Sequence, residues 1–336
     1  MSTPLDAMEA AVQHALGASA VRGPVPTLWH SDGIGAAWEI SDDLLIAARP
    51  TAVQLHTWEP RRIAPLVQRA LPGVRLVVGV GVDGIARDVA KGTRSVSWGV
   101  ARMRELAGRA ASIGAVAIVW NAEAGWKTPP STTQRVRIEQ LVREGLAAVA
   151  EGYPALAQWH TAYDHPSLHS TYPWRAWLGA GSPITVSLPQ VYAAPGGDLA
   201  AHRGALPRRE AKALASWAAA VRSGWIRPDD PDDAADDPRD VDWRPYYQLH
   251  HVALADTVSS AVRHPLAAQW ALPTRSDRDG RRALLALCAL DRLGLWGEDA
   301  VTRYQRDAGL TPDGVYGPRT EAHLLSRVGI SAVAAL

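Results

Sequence analysis

The chain has 336 residues, of which 47% are hydrophobic and 21% are charged, a composition that can bury a substantial core. Its formal net charge is +1, from 35 basic and 34 acidic side chains, which argues against a nucleic-acid binder held by a basic surface. The single cysteine, Cys288, excludes an internal disulfide, and no run approaches the roughly 18 apolar residues of a membrane-spanning helix, so we expect no membrane insertion.

The N-terminal extension, residues 1–22, is predicted to form a short amphipathic helix. Asp6 and Glu9 stand where a secretory signal would need positive residues followed by an apolar core. We therefore expect the protein to be made in the cytoplasm without a signal peptide.

From residue 23 to residue 280, β-type runs alternate with helical stretches. Several of these runs are apolar on both faces, as strands buried in a parallel sheet must be. The alternation predicts a (β/α)8 barrel, and a doubly wound open sheet is the alternative. The predicted strands are 25–30, 51–58, 74–82, 115–120, 155–163, 184–192, 242–252 and 265–272.

Helices are predicted over 95–113, 131–152 and 207–224. Ser131 is a candidate N-cap because its hydroxyl can accept a bond from a free amide of the first turn. The aspartate-rich run 227–242 is too charged to pack, so we expect a solvated loop there. A calcium-binding loop is the alternative, although the run lacks the glycine and terminal glutamate of an EF-hand loop.

The C-terminal segment 281–328 is predicted to be a small all-α unit of three helices, followed by a tail at 329–336. GLWG at 294–297 and GVYG at 314–317 recur at a spacing of twenty residues, and each precedes a helical run. A short internal repeat of this kind indicates a small helical module. The run RRALLALCALDRLG at 281–294 can serve both as the last helix of the barrel and as the first helix of the module.

The stretch AVTRYQRDAGLTPDGVYGPRTEAHLL at 300–325 resembles the peptidoglycan-binding module of cell-wall hydrolases. The resemblance implies binding to peptidoglycan glycan strands, with a groove that the shortened first repeat could leave incomplete. The residues that match the pattern are Ala300, Val301, Tyr304, Gln305, Gly309, Leu310, Asp313, Gly314, Gly317, Pro318, Thr320 and Leu324. The wall-binding residues that we expect are Tyr304, Gln305, Asp313, Tyr316 and Arg319.

The segment GAVAIVWNAEAGWK at 114–127 is similar to the fourth strand of glycoside hydrolase family 25 muramidases, which ends in Asp-x-Glu. The segment 159–195 also resembles members of that barrel group. The resemblance implies a lysozyme-like TIM barrel that cleaves peptidoglycan. Here Asn121 occupies the position of the family's aspartate, which puts catalysis in doubt because an amide supplies no negative charge.

In a (β/α)8 enzyme the site is built at the carboxyl ends of the strands. A ring of aromatic, amide and carboxylate side chains is predicted at that edge, and such a ring suits a carbohydrate. The predicted substrate-binding residues are Asn121, Trp126, Asp32, Tyr163, Asp164, Gln190, Tyr192, Gln248 and Trp270.

Glycoside hydrolysis needs a carboxylic acid that protonates the leaving oxygen and a second group that stabilises the developing positive charge. Glu123 is the predicted acid, because an apolar approach favours its protonated form. The alternative is an ion pair between Glu123 and Lys127. Asp83 is the predicted partner, with Asp32 and Asp164 as the other candidates.

The sequence thus predicts a cell-wall lytic glycosidase tethered to a wall-binding module. The alternative is a catalytically weak or inactive glycan-binding protein, and a chitin-cleaving enzyme is a further possibility. Without a signal peptide, the protein would reach the wall after lysis or as part of a phage or phage-tail-like injection particle. We expect no cofactor and no metal; a zinc site at His165 and His169 is the metal-bound alternative.

Overall fold

A computed structural model describes most of the chain. The described residues are 21, 25–29, 43–126, 131–191, 205–227, 241–244, 246–248, 254–263, 269–271, 278–297 and 299–330. The predicted N-terminal helix, the aspartate-rich loop with its calcium-binding alternative, and the tail lie outside these ranges apart from a few flanking residues.

Nine strands are present in the described part of the chain, and all of their pairings are parallel. They are β1 (Val25–Trp29), β2 (Ala52–His56), β3 (Arg75–Gly81), β4 (Ala117–Asn121), β5 (Ala157–Tyr163), β6 (Ile184–Gln190), β7 (Asp242–Trp243), β8 (Tyr246–Gln248) and β9 (Gln269–Ala271).

Eleven α-helices lie between and after these strands in the described ranges. They are α1 (Asp43–Ala48), α2 (Pro60–Ala70), α3 (Asp83–Lys91), α4 (Val96–Ala111), α5 (Thr132–Gly152), α6 (Trp174–Leu178), α7 (Ala205–Arg222), α8 (Leu254–Ala261), α9 (Arg278–Arg292), α10 (Ala300–Asp307) and α11 (Pro318–Arg327). Two short 3-10 turns, Ala124–Trp126 and Pro166–His169, follow β4 and β5.

Strands β1 to β6 pair in chain order and form a parallel six-stranded half-barrel. On the other side of β1 lies β9, which pairs with β8; β6 in turn pairs with both β7 and β8. A doubly wound sheet reverses its strand order at a switch point, and β1 to β6 do not. The strands that carry the predicted site therefore lie side by side, with their carboxyl ends at one edge.

The sheet is buried on both faces. The inner face carries a compact apolar cluster that includes Val77, Val119, Trp159 and Leu188. The opposite face packs against the surrounding helices in a larger core. Because side chains alternate between the faces of a strand, every second residue beyond Val119, Trp159 and Leu188 also faces inward.

Local signals in the sequence explain the helix boundaries near the site. Ser131 caps α5 as predicted: its hydroxyl accepts from the Gln134 amide N–H at 3.3 Å, and the Gln134 side chain accepts from the Ser131 N–H at 3.4 Å. This reciprocal capping box satisfies two amide groups that an uncapped helix would leave unpaired.

Helix α9 connects the sheet region to the C-terminal helices. It is apolar around most of its circumference, with a continuous buried run from Ala283 to Leu290, and it packs against α1, α8 and α11. Arg292 at its end donates to the carbonyl oxygens of Ala47 and Ala48 in α1. A helix that is apolar all round must be covered on all sides, which is why α9 is shared. This agrees with the dual use predicted for 281–294.

Of the helices that the structure describes, none is both long enough and apolar enough to span a bilayer.

Candidate active site at the carboxyl ends of the parallel strands

The candidate site is formed by side chains that follow or end four neighbouring strands. Asn121 and Tyr163 are the last residues of β4 and β5, and Gln190 is the last residue of β6. Asn121, Tyr163 and Gln190 continue the inward-facing alternation of their strands. Glu123 continues the alternation of β4, and Asp83 begins α3 directly after β3. All five side chains are partly exposed.

Asp83 and Glu123 are joined by a hydrogen bond. The backbone N–H of Glu123 donates to Oδ1 of Asp83 at 2.8 Å. The strands beneath are in register, since Gly81 pairs with Asn121 and the Val82 N–H donates to the Asn121 carbonyl at 3.1 Å. The two carboxylate-bearing residues are therefore held together by backbone geometry.

Gly125 allows this close approach. A Cβ atom at Gly125 would lie 2.4 Å from the carbonyl oxygen of Asp83 and 2.8 Å from its Cα, both of them backbone atoms that cannot swing away. Glycine therefore lets the turn Ala124–Trp126 lie directly against the start of α3. This 3-10 turn holds the Glu123 N–H within hydrogen-bond distance of Asp83.

The Gln190 amide connects Asn121, the last residue of β4, with Glu123 just beyond it. Its Nε2 donates to Oε1 of Glu123 at 2.8 Å and to Oδ1 of Asn121 at 3.2 Å. An amide that donates two bonds restrains both acceptors, so the Glu123 side chain is oriented from the β6 side and Asp83 holds its backbone from the β3 side.

Tyr163 lies within the electrostatic field of both carboxylates. Burial, together with the nearby charges of Glu123 and Asp83, raises the pKa of Tyr163 to about 12. Its ring stacks on His169 with centroids 3.9 Å apart, and Tyr172 packs against it edge-on at 5.9 Å. The phenol therefore stays protonated near neutral pH and can serve as a hydrogen-bond donor.

A second row of aromatic residues supports this wall and was not predicted. His160 is fully buried; its Nε2 and the Tyr172 hydroxyl form a hydrogen bond at 2.7 Å, and its Nδ1 and the Ser187 hydroxyl form one at 3.3 Å. Burial lowers the pKa of His160 to about 3, so the imidazole is neutral. Alternation along β5 turns His160 away from the inner face. For that reason the sequence pattern does not mark His160 as a residue of the site.

Two predicted substrate-binding residues have other roles. Trp126 is fully buried and its ring packs edge-on against Trp177 with centroids 5.0 Å apart, so it cannot stack on a sugar. Asp164 is 5% exposed, accepts from Arg209 Nε at 2.8 Å and lies 3.6 Å from His165 Nε2. Both predictions are corrected: one side chain belongs to the core, and the other forms a buried ion pair.

Four further predictions concern residues about whose side chains nothing is described. Asp32 and Tyr192 lie outside the described ranges, as does Lys127, the alternative partner of Glu123. Gln248 ends β8 and Trp270 lies within β9, so the backbone places both on strands of the same sheet. These four assignments stay predictions.

No metal centre is formed by the described residues, since no three His, Cys, Asp or Glu side chains come together among them. His165 lies beside Asp164, whereas the ring of His169 stacks on Tyr163. Their environments are accounted for by these contacts, which do not resemble the three- or four-ligand arrangement of a zinc site.

In the C-terminal module, several predicted wall-binding residues are buried. Gln305, 2% exposed, donates to Asp313, Thr320 and the Val315 carbonyl at 2.7 to 3.1 Å and accepts from the Gly314 N–H at 2.8 Å. It pins the turn that precedes α11. The hydrogen bonds from the Val315 N–H and the Gln305 amide also lower the pKa of Asp313.

The two predicted tyrosines of the module are also core residues. Tyr304 is fully buried, and its hydroxyl forms a hydrogen bond with His323 Nδ1 at 2.7 Å; Tyr316 is 1% exposed. The wall-binding roles predicted for Tyr304, Gln305 and Tyr316 are therefore corrected to structural ones. Arg319 at the start of α11 is exposed and remains a predicted contact.

Comparison with known proteins gives one family match. Residues 291–324 match the family described as "Putative peptidoglycan binding domain". No curated protein matches the chain.

Among solved structures, an endo-β-N-acetylglucosaminidase from Cordyceps militaris in apo form is similar with a TM-score of 0.41 and 9% identity, over 86% of this chain and 97% of that one. A family GH36 α-galactosidase variant from Geobacillus stearothermophilus in complex with 1-deoxygalactonojirimycin gives a TM-score of 0.40 and 8% identity, over 84% of this chain and 44% of that one.

Proposed function

We propose that this chain is a glycoside hydrolase that cleaves the glycan strand of peptidoglycan in the manner of a muramidase, on a (β/α)8 barrel anchored by the C-terminal module. The observation that carries the proposal is the meeting of Asp83 and Glu123 at adjacent strand ends, with the Gln190 amide on Glu123. The pairing of β1 with β9, and of β6 with β8, supports the barrel.

The proposed chemistry begins with Glu123 as the general acid. Its proton passes to the glycosidic oxygen as the bond from that oxygen to the anomeric carbon breaks. Asp83 provides negative charge beside the developing oxocarbenium ion. A water molecule then adds to the anomeric carbon and returns a proton to the Glu123 carboxylate, which completes the hydrolysis.

The remaining side chains of the site suit the substrate. The amides of Asn121 and Gln190 can exchange hydrogen bonds with sugar hydroxyl and acetamido groups, and the neutral Tyr163 phenol can donate one. The match of residues 291–324 to a peptidoglycan-binding family supports peptidoglycan over chitin as the polymer. Tethering to the wall would raise the local substrate concentration at the site.

The test is mass spectrometry of soluble fragments released from purified sacculi. The parent protein should release glycan fragments with new reducing ends, and Glu123→Gln should reduce their rate of release by about a thousandfold, since general acid catalysis contributes roughly 10²–10⁴-fold. The matched control is Glu151→Gln, an exposed glutamate at the end of α5 that should act like the parent. Release that is equal in parent and Glu123→Gln would rule out the assignment.

A second candidate function is glycan binding without cleavage, as a component or cargo of a phage or phage-tail-like particle. Asn121 favours it, because this amide stands where the muramidases that the segment resembles carry an aspartate. Binding of the parent protein to sacculi with no fragments released would support this candidate. A large gain of lytic rate in Asn121→Asp would indicate an enzyme weakened at that position.

A further inference from the structure

A cavity lies at the opposite end of the strands from the candidate active site. It has a volume of about 950 Å³ and is bordered by the starts of β2 and β3, the ends of α1 and α2, and the end of α9. This volume is in the range of sites that bind small molecules. The cavity is also beside the point where the peptidoglycan-binding match begins, since Asp291 and Arg292 line it.

The cavity carries two arginines whose guanidinium groups form no ion pair with a described residue. Arg75 begins β3 and Arg49 follows α1, and both side chains are exposed at the cavity wall. Arg292, by contrast, is engaged by the α1 carbonyl oxygens. Arginine presents a planar fork of donors that matches a carboxylate, so Arg49 and Arg75 are available for an anionic group.

The backbone at Arg49 is in an unusual conformation. Its φ angle is +46°, the one positive value at a non-glycine residue in the described chain, and Pro50 follows it. A residue with a Cβ atom is disfavoured there, and such strain tends to be retained where a side chain has a task. Arg49 and Pro50, which follow α1, both line the cavity.

The rest of the lining adds apolar surface and one carboxylate. Leu71, Pro72 and Val74 provide apolar contacts. Asp291 also lines the cavity, and its Oδ1 accepts from the Trp296 indole N–H at 3.1 Å. Burial raises the pKa of Asp291 to about 6, so most of this group is ionised at neutral pH. A ligand that carries both signs of charge and apolar side chains would match the arginines, the carboxylate and the apolar lining together.

We propose that this cavity binds a short peptide with free carboxylates and an amine, which in the proposed function is the stem peptide of peptidoglycan. Carboxylates of the peptide pair with Arg49 and Arg75, its amine faces Asp291, and its apolar side chains rest on the Leu71–Val74 loop. The ligand identity rests on the proposed function. The cavity would then hold the peptide branches of the wall while the opposite edge of the sheet engages the glycan.

The experiment is isothermal titration calorimetry of the full chain carrying Glu123→Gln with a synthetic stem tetrapeptide at neutral pH. Glu123 lies at the other end of the strands, so this change leaves the cavity intact. Binding should weaken by about tenfold in Arg75→Glu and about fivefold in Arg49→Gly, since a charge-assisted hydrogen bond contributes on the order of a tenfold change in affinity. Arg49→Gly removes the guanidinium while glycine tolerates the positive φ.

The matched control is Arg62→Ala, an exposed arginine on α2 outside the cavity, which should bind like the parent. Thermal unfolding checks that each variant is folded, and Arg75→Gln replaces Arg75→Glu if the reversed charge disturbs β3. The proposal is overturned if the tetrapeptide does not bind, if Arg75 and Arg49 variants bind it as the parent does, or if inorganic phosphate binds more tightly. Fragment release from sacculi reports on the glycosidase independently, so either proposal can fail alone.

Discussion

In the C-terminal module, Tyr304, Gln305 and Tyr316 of the motif point inward, whereas at the strand ends aromatic and polar side chains are partly exposed and converge. The Gln305 amide forms hydrogen bonds with Asp313 and Gly314 in a turn, and Tyr304 is buried within the module. Gln190 instead reaches across the sheet to Glu123 and Asn121. The difference shows that the motif residues of a small module mainly stabilise its fold, because a unit with a small core depends on each buried hydrogen bond.

The largest predicted effect is a loss of folding stability at acid pH that arises in the sheet region, from buried His160. Buried His160 has a pKa of about 3 in the folded chain against 6.5 when exposed, so the unfolded state binds the extra proton between these values. The free energy of unfolding therefore carries no penalty from His160 above pH 6.5. It falls by on the order of 4 kcal/mol as the pH is lowered towards 3. Urea unfolding at successive pH values measures it.

His160→Gln should flatten this acid dependence, because an amide can still bond to Tyr172 but takes up no proton. The control is Gln140→Leu at an exposed position on α5, which changes no titratable group and should keep the acid slope of the parent. If the free energy of unfolding of His160→Gln fell with pH as steeply as that of the parent, protonation of His160 would not be the cause of the acid sensitivity.

The next effect tests the structural role of Gln305. Gln305→Leu keeps the volume but leaves the Gly314 N–H and the Thr320 hydroxyl without their partner, so the free energy of unfolding should fall by about 3 kcal/mol. Hydrogen exchange should show the loss within 299–330. Gln140→Leu, at an exposed position on α5, should change stability little. Stability equal to the parent would mean that Gln305 serves binding after all.

A smaller effect is expected from the Gln190 amide. Gln190→Ala releases Glu123 from its orienting bond, so kcat for glycan cleavage should fall about tenfold, equivalent to roughly 1.4 kcal/mol, with little change in KM. Gln68→Ala, at an exposed position on α2, is the control. A rise in KM at constant kcat would instead assign Gln190 to substrate binding alone.

The smallest effect concerns the exposed arginine of the module. Arg319→Ala should weaken binding to sacculi by about twofold, because a solvent-exposed charge contributes well under 1 kcal/mol. Co-sedimentation with sacculi measures the change, and Arg306→Ala, exposed on α10, is the comparison. If Arg319→Ala abolished binding, the module would carry a concentrated binding site there.

The strand ends of the candidate site could be predicted from the sequence because parallel strands bring their carboxyl ends to one edge. Asn121 and Gln190 end apolar runs and Glu123 follows one, and the sequence places the bounds of these runs within a few residues of the observed strands. The six strands β1 to β6 were predicted for the same reason: continuous apolar runs of that length are typical of buried parallel strands.

The predicted roles that are wrong belong to residues whose side-chain direction depends on tertiary contacts. Trp126 is three residues beyond Glu123, but the 3-10 turn carries its ring under the sheet edge against Trp177. Asp164 turns towards Arg209 on α7, which is 45 positions further along the chain. Neither partner is visible in local periodicity, and a motif match alone did not reveal that Tyr304 and Tyr316 are core residues.

The most direct test of the central claim is the initial rate of reducing-end formation from peptide-free peptidoglycan glycan strands. If Asp83 and Glu123 act as a pair, Glu123→Gln and Asp83→Asn should each lose at least about a hundredfold, and the double variant should lose little more than the worse single one, because residues that act as a unit are not additive. Rates in both single variants equal to that of the parent, or no reducing ends from the parent itself, would contradict the account.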